Sequence, residues 1–380
     1  MSRPIHEIAD VLHRFAPEFI RKHPPNSYHF RTLDVIARCR TASLGGHIDS
    51  CDCCGKQRIS YNSCRNRHCP KCQSTKQAFW AEDRMNQTLP VKHFHIVFTV
   101  PEVLNDICLT DSNWFYKLLF AKARETLESF GYSHFGVQTG AICMLHSWGQ
   151  NLSLHPHIHC IVPGIGLTIS GRLKEIGSGG KFLYPVRQLS IVFRGKILEA
   201  INKNLKAKGL LITYRPNLDQ AWKKPWVVHC EPSLASPKHV TGYLSRYTNR
   251  VAITNHRIVT ISDSGVTFHL KDYRNNGRKT TTTLSGTEFL RRFCLHILPR
   301  RFVKVKFYGL YTSRNKKLIL QAKKLQPHKP KETSQERLLR LTGFDVFLCP
   351  FCKKGRMVTI EIIPRIRSPD VGLYPSNIKI

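Results

Sequence analysis

Acidic residues are scarce in this 380-residue chain: 25 Asp and Glu stand against 59 Lys and Arg, giving a formal net charge of +34 and a pI of about 10.0. An imbalance this large, spread along the chain, points to a polyanionic partner, and nucleic acid is the commonest. A ribosome-associated factor or membrane-surface binder fits less well, because no long basic tail or basic amphipathic helix stands out. Long apolar runs are also missing. No stretch approaches the ~18 residues of a membrane span, and the opening MSRPIHEIADVLHRF has no apolar signal core. The expectation is a cytoplasmic, DNA-associated protein with no membrane partner. Two catalytic signatures are absent as well. There is no HExxH for a zinc protease, and none of the 19 histidines has Arg three positions later, as a tyrosine site-specific recombinase would need. No internal repeat is visible.

Cysteine, by contrast, is plentiful, with 14 residues. In a chain this long without an export signal, thiolate metal sites are expected rather than disulfides. The segment CDCCGKQRISYNSCRNRHCPKCQ (51–73) holds Cys51-x2-Cys54 and Cys69-x2-Cys72, separated by 14 residues. Each pair turns two thiolates the same way, and two such corners complete a tetrahedron around structural Zn2+. Cys53, Cys64 and His68 lie close enough to replace one ligand. A closed four-thiolate site leaves no position for water, so it serves folding and DNA contact, not catalysis. CPFC (349–352) is half a site. No Cys or His follows Cys352, so any further ligands come from upstream or from another chain.

The length allows a full core and two or three domains. Residues 1–45 read as helical, with Ile8, Val11, Leu12, Phe15 and Phe19 at helical spacing. A zinc module spans 46–85, and STKQAFWAEDRMNQ (74–87), after the cysteine-dense segment, reads as a helix. Residues 90–260 alternate strands (HFHIVFTV, GAICMLHSWG, HPHIHCIVPG) with helices such as SNWFYKLLFAKARETLESFG, closed by Gly131, which suggests an α/β or α+β domain. A basic hairpin turning at Asn-Gly and a helix fill 261–325, and 326–380 reads as a polar linker and a tail carrying CPFC.

HPHIHC (155–160) places His157 and His159 two apart, so on a strand they share one face while Ile158 and Cys160 face the core. Two imidazoles on a rigid strand can hold a divalent ion and leave positions open for a substrate oxygen. HFH (93–95) is a rival pair of the same form. In GYLSRYTNRVAI (242–253), Tyr243 and Tyr247 lie four apart, beside a second such pair, Arg246 and Arg250. On a helix each pair shares a face. Phenols flanked by guanidiniums suit phosphodiester chemistry, with Tyr as nucleophile and Arg neutralising phosphate oxygens. A packed aromatic helix face is the other reading of the same spacing.

YNSCRNRHCPKCQ, HPHIHCIVPG and YLSRYTNRVAI, in this order, closely resemble the insertion-sequence ninety-one transposase family, over residues 45–310. FLRRFCLHILPRRFVKVKFYG (289–309) is similar to that family's basic segment, and PGIGL departs from its usual PGGGL at Ile165. The resemblance implies an α+β fold: a ferredoxin-like HUH nuclease domain, an antiparallel sheet with helices, beside a small N-terminal zinc-ribbon-like module and a basic C-terminal region. It implies a rolling-circle transposase that cuts and rejoins single-stranded DNA at transposon ends and target DNA. Tyr243 and Tyr247 would form 5′-phosphotyrosine, and His157 and His159 would hold catalytic Mg2+ or Mn2+. Gln150 is the expected third ligand, with His155 second. HIVFTVP (95–101) is similar to the first motif of rolling-circle initiators. The competing class is a non-catalytic zinc-ribbon nucleic-acid-binding protein.

Overall fold

The computed structural model describes residues 4–73, 79, 82–83, 89, 91–177, 183–234, 251–272, 277–315 and 332–366. Along the chain run α1 (Ile8–Lys22), α2 (Ser27–Ala37), β1 (Gly46–Cys51) and β2 (Gln57–Tyr61). The central part carries β3 (His93–Thr99), α3 (Asn105–Thr110), α4 (Ser112–Phe135), β4 (Val137–Thr139), β5 (Ala141–Trp148) and β6 (Leu154–Pro163). It continues through β7 (Ile165–Thr168), β8 (Leu173–Glu175), α5 (Val186–Ala207), α6 (Leu211–Lys223) and β9 (Val228–Leu234). Then come β10 (Ile258–Ser262), β11 (Gly265–Asp272), β12 (Arg278–Leu284), α7 (Gly286–Leu295), β13 (Val305–Tyr308), α8 (Ser334–Thr342) and β14 (Met357–Ile363). Among the described residues, no helix is long and apolar enough to cross a membrane.

The architecture is α+β with antiparallel sheets. Five strands form the central sheet in the order β13-β5-β6-β3-β9. Alternation of side chains along a strand gives this sheet two different faces. Phe94, Ile96 and Phe98 of β3, Cys143 and Leu145 of β5, and Ile158, Cys160 and Val162 of β6 are buried against α4 and α5. Full burial of each large apolar side chain contributes roughly 1.5–3 kcal/mol. The neighbours of opposite parity, His93 and His95, His146, and His157 and His159, belong to the other face. Helices hold one side of the sheet and histidines occupy the other.

A second core joins α1 and α2 to α7 and the β10–β12 hairpin sheet. The stripe Ile8, Val11, Leu12, Phe15 and Phe19 is buried there. Helix α1 meets α7 at Gly286, where a Cβ would sit 2.1 Å from the Phe15 ring.

Two expectations change. Gly131 does not end its helix. Helix α4 runs another turn to Phe135 and is capped by Gly136 at φ 67°, a conformation glycine adopts without strain. Gly131 instead lets β4 approach, since a Cβ there would lie 2.7 Å from the Val137 carbonyl. Nor is the chain beyond residue 326 simply a tail: β14 returns to pair antiparallel with β1, in a sheet of order β14-β1-β2. The expected 74–87 helix and the Asn-Gly turn lie largely outside the described residues, although β11 and β12 on either side of that turn do pair.

Candidate metal centre on the histidine face

β5 and β6 pair so that His146 stands directly opposite His157. His159 lies two residues along β6, with its ring centroid 4.9 Å from that of His157 and 4.5 Å from that of His146. One ring nitrogen from each of the three lies within 4.8 Å of the others. The expected pair is therefore joined by His146, an imidazole that strand parity alone did not single out. The expected third ligand, Gln150, sits in the turn beyond β5, where its carbonyl accepts from Arg257. His155 contributes its backbone: His157 Nδ1–H donates to the His155 carbonyl at 2.7 Å.

That hydrogen bond has a chemical consequence. A carbonyl only accepts, so Nδ1 of His157 carries the proton and Nε2 keeps its lone pair. A longer chain does the same for His159. Glu231 on β9 faces His95 on β3, and His95 Nδ1–H donates to Glu231 Oε2 at 3.2 Å. His95 Nε2 then accepts from His159 Nδ1–H at 2.9 Å, which leaves the His159 lone pair on Nε2. Such carboxylate–imidazole chains orient metal-binding histidines and fix their tautomers. Burial holds the His157 pKa down to about 4 and that of His159 well below its ordinary value. Both imidazoles are thus neutral at physiological pH, the form that binds metal.

The rival pair therefore divides. His95 supports His159, while His93 is a core group: its Nδ1–H donates to the Val91 carbonyl at 2.8 Å, and Tyr311 Oη donates to its Nε2 at 2.6 Å. Trp148 stacks on His146 with centroids 4.7 Å apart, and Lys304 Nζ lies 4.8 Å over the same indole. A cation and an aromatic surface thus flank the imidazoles.

The cysteines regroup. Cys69 and Cys72 stand with Cys39 and Cys64, and Cys51 and Cys54 stand with Cys349 and Cys352. The expected single site of Cys51, Cys54, Cys69 and Cys72 is thus divided between two clusters. In the first, Cys72 Sγ lies 3.6 Å from both Cys39 Sγ and Cys64 Sγ. Cys69 completes the group, with all four sulfurs within 4.8 Å of one another, a spacing that suits a single four-thiolate metal site. Cys39, just past α2, sits in no Cys-x2-Cys pattern, and no spacing signal could have found it. His68 is half-buried beside Arg67; partial loss of water, and then the Arg67 charge, push its pKa down to about 3, and it is not among the ligand groups.

Tyr243, Tyr247, Arg246 and Arg250 lie outside the described residues. On one side of them the described chain bonds to His95 of the histidine face, and on the other it lies beside Trp148, the indole stacked on His146. β9, ending at Leu234, carries Glu231, and Val251 and Ala252 line a cavity of about 130 Å³ together with Trp148, His68 and Lys304.

Residues 140–318 match a family model described as "Putative transposase", and residues 11–100 match a "Transposase zinc-binding domain" of the IS91 type. "Putative transposase y4qJ" of Sinorhizobium fredii is 39% identical over 393 residues, spanning 97% of this chain and 98% of the relative. The chain belongs to the IS91 family of transposases. "Transposase for insertion sequence element IS801" of Pseudomonas savastanoi pv. phaseolicola is 24% identical to this transposase over 74% of the chain and 70% of its own length. No solved structure matches. The zinc-binding domain match and the cysteine clusters together support structural zinc in this transposase.

Proposed function

We propose that this transposase cleaves and rejoins single-stranded DNA at the ends of its element through a covalent 5′-phosphotyrosine, in a rolling-circle scheme that delivers the strand to target DNA. The observation that carries the proposal is the face of three imidazoles, two of them with Nε2 lone pairs set by hydrogen bonds to the opposite nitrogen. His157, His159 and His146 would hold the ion, with His146 replacing Gln150 as third ligand. Of Mg2+ and Mn2+, this nitrogen donor set suits Mn2+ better. Such an ion would polarise a non-bridging oxygen of the scissile phosphate.

The remaining chemistry belongs to the chain. The phenolic oxygen of Tyr243 or Tyr247 attacks phosphorus and loses its proton. The new O–P bond replaces the bond to the 3′ oxygen, which leaves as a hydroxyl after taking up a proton. A phenol of pKa about 10 is only ~0.1% ionised at neutral pH, so stabilisation of the transition state has to supply most of the acceleration. Arg246 and Arg250 neutralise phosphate oxygens, and Lys304 adds a cation at the edge of the face. The second tyrosine accepts the strand in a later transfer.

The test is incubation with Mn2+ and single strands spanning the DNA that flanks the gene, followed by denaturing electrophoresis. The wild-type protein forms a covalent adduct. His157→Ala and His159→Ala lose nicking but keep most DNA affinity, because Lys and Arg contacts to phosphate dominate binding. Double replacement of Tyr243 and Tyr247 by Phe removes the adduct. If that double variant still forms it, the tyrosine mechanism is wrong; if wild-type protein binds but never cuts, the non-catalytic reading replaces it.

A further inference from the structure

Two Cys-x2-Cys corners from opposite ends of the chain face each other. We propose that Cys51, Cys54, Cys349 and Cys352 bind a second structural Zn2+, separate from the Cys39, Cys64, Cys69 and Cys72 site, and so close a zinc ribbon built from both ends of the chain. The zinc-binding domain match ends at residue 100 and does not include the second corner.

Spacing is the first argument. Cys51 Sγ lies 3.7 Å from Cys352 Sγ, and Cys54 Sγ lies 3.8 Å from Cys349 Sγ. Four thiolates ~2.3 Å from one zinc ion form a tetrahedron with edges of about 3.8 Å. A disulfide would bring one pair to ~2.05 Å and leave the other two thiols out.

The second argument is that the two corners share one backbone geometry. In the first, Gly55 has φ 67° and its N–H donates to the Cys51 carbonyl at 3.0 Å. In the second, Lys353 has φ 57° and its N–H donates to the Cys349 carbonyl at 3.0 Å. Amides also point at sulfur: Cys53 N–H donates to Cys51 Sγ at 3.4 Å, and Gly355 N–H to Cys352 Sγ at 3.4 Å. Such donors stabilise thiolate over thiol. Gly355 must be glycine, because a Cβ there would lie 2.6 Å from Cys51 Sγ.

Third, little apolar burial holds the β14-β1-β2 sheet together, although Asp49 on β1 accepts from Arg58 on β2 at 3.2 Å and from Thr359 on β14 at 2.8 Å. The buried cluster beside it consists of Cys51, Cys349 and Met357, with Cys352 packed against it. Ile59, Val358, Ile360 and Ile362 are all more than half exposed. A module with so small a core needs a metal or cross-link to hold its fold. The return of the C-terminal segment has separate support, since Arg337 and Arg340 on α8 pair with Glu82 at 2.7 Å. Past β14, Ile366 N–H reaches the Ser43 carbonyl at 3.2 Å, and Arg365 joins Arg40, Arg65 and Tyr61 around a cavity of about 880 Å³. The second zinc therefore positions one wall of this arginine-lined cleft.

The experiment uses full-length protein purified under reducing conditions, with elemental analysis and thiol alkylation read by mass spectrometry. Wild-type protein should carry two zinc ions per chain. Cys349→Ser/Cys352→Ser should carry one, with Cys51 and Cys54 newly alkylated while Cys39, Cys64, Cys69 and Cys72 stay protected. Should that variant be insoluble, graded chelation of the wild-type protein decides: Cys51, Cys54, Cys349 and Cys352 should become reactive together, as a set distinct from the other four. One zinc with Cys349 and Cys352 freely alkylated would overturn the proposal. So would iron in place of the second zinc, or a double variant that keeps two zinc ions.

Discussion

His95 donates from Nδ1 to Glu231 at 3.2 Å and accepts at Nε2 from His159 at 2.9 Å. As half of HFH it duplicated the pattern of the His157 and His159 pair and was a rival to it. In the fold it becomes a support, because β9 supplies Glu231 on one side and β6 supplies His159 on the other. Loss of such an outer partner typically weakens metal binding about 10–100-fold. His95→Ala should therefore lower Mn2+ affinity by that factor, read by calorimetric titration. Glu231→Gln, which keeps an acceptor oxygen, should lose less. His93→Ala should lower thermal stability through its bonds to Tyr311 and Val91 while leaving the metal isotherm unchanged. Wild-type Mn2+ affinity in His95→Ala would end the supporting role.

At the scale of one element, α7 joins charge to stability. Ser285 caps it by accepting from Glu288 N–H at 3.3 Å, and the Glu288 carboxylate accepts from Arg291 and Arg292, each at 2.6 Å. Arg291, and then Arg292, pull the Glu288 pKa down from 4.5 to about 2. A carboxyl whose folded pKa lies below its unfolded value contributes stability that is complete above the unfolded value and lost as pH falls. The difference in melting temperature between wild type and Glu288→Gln should thus be full at about pH 6 and shrink between about pH 4.5 and about pH 2. Zinc loss in acid affects both proteins alike and cancels in the comparison. A difference independent of pH would show that the ion pairs add nothing. The amphipathic stripe of α1 and the apolar strands β5 and β6 were readable from periodicity, because each depends only on neighbours within a turn or a pleat. The end of α4 was not, since Gly131 and Gly136 look alike until the approach of β4 distinguishes them.

For the molecule as a whole, the net charge of +34 is the dominant fact. Each phosphate neutralised in a single strand contributes about −0.7 to the slope of log affinity against log salt. Fluorescence anisotropy with a labelled single strand should therefore show affinity falling steeply as salt rises. Replacing Arg40, Arg65 and Arg365 should make the slope shallower if the cleft they line carries phosphates. An affinity indifferent to salt would assign the basic surface to another partner.

The sequence by itself determined the basic character, the Cys-x2-Cys corners, the shared parity of His157 and His159, and the family, because each is written in residue types at fixed short spacing. Only the tertiary structure decided which corner faces which, that His146 joins the pair, and that His95 orients His159. Those outcomes depend on which strands become neighbours. Burial of apolar faces sets that choice in the central sheet, strand pairing and converging thiols set it between segments as distant as Cys51 and Cys349, and no local spacing in either segment encodes the other.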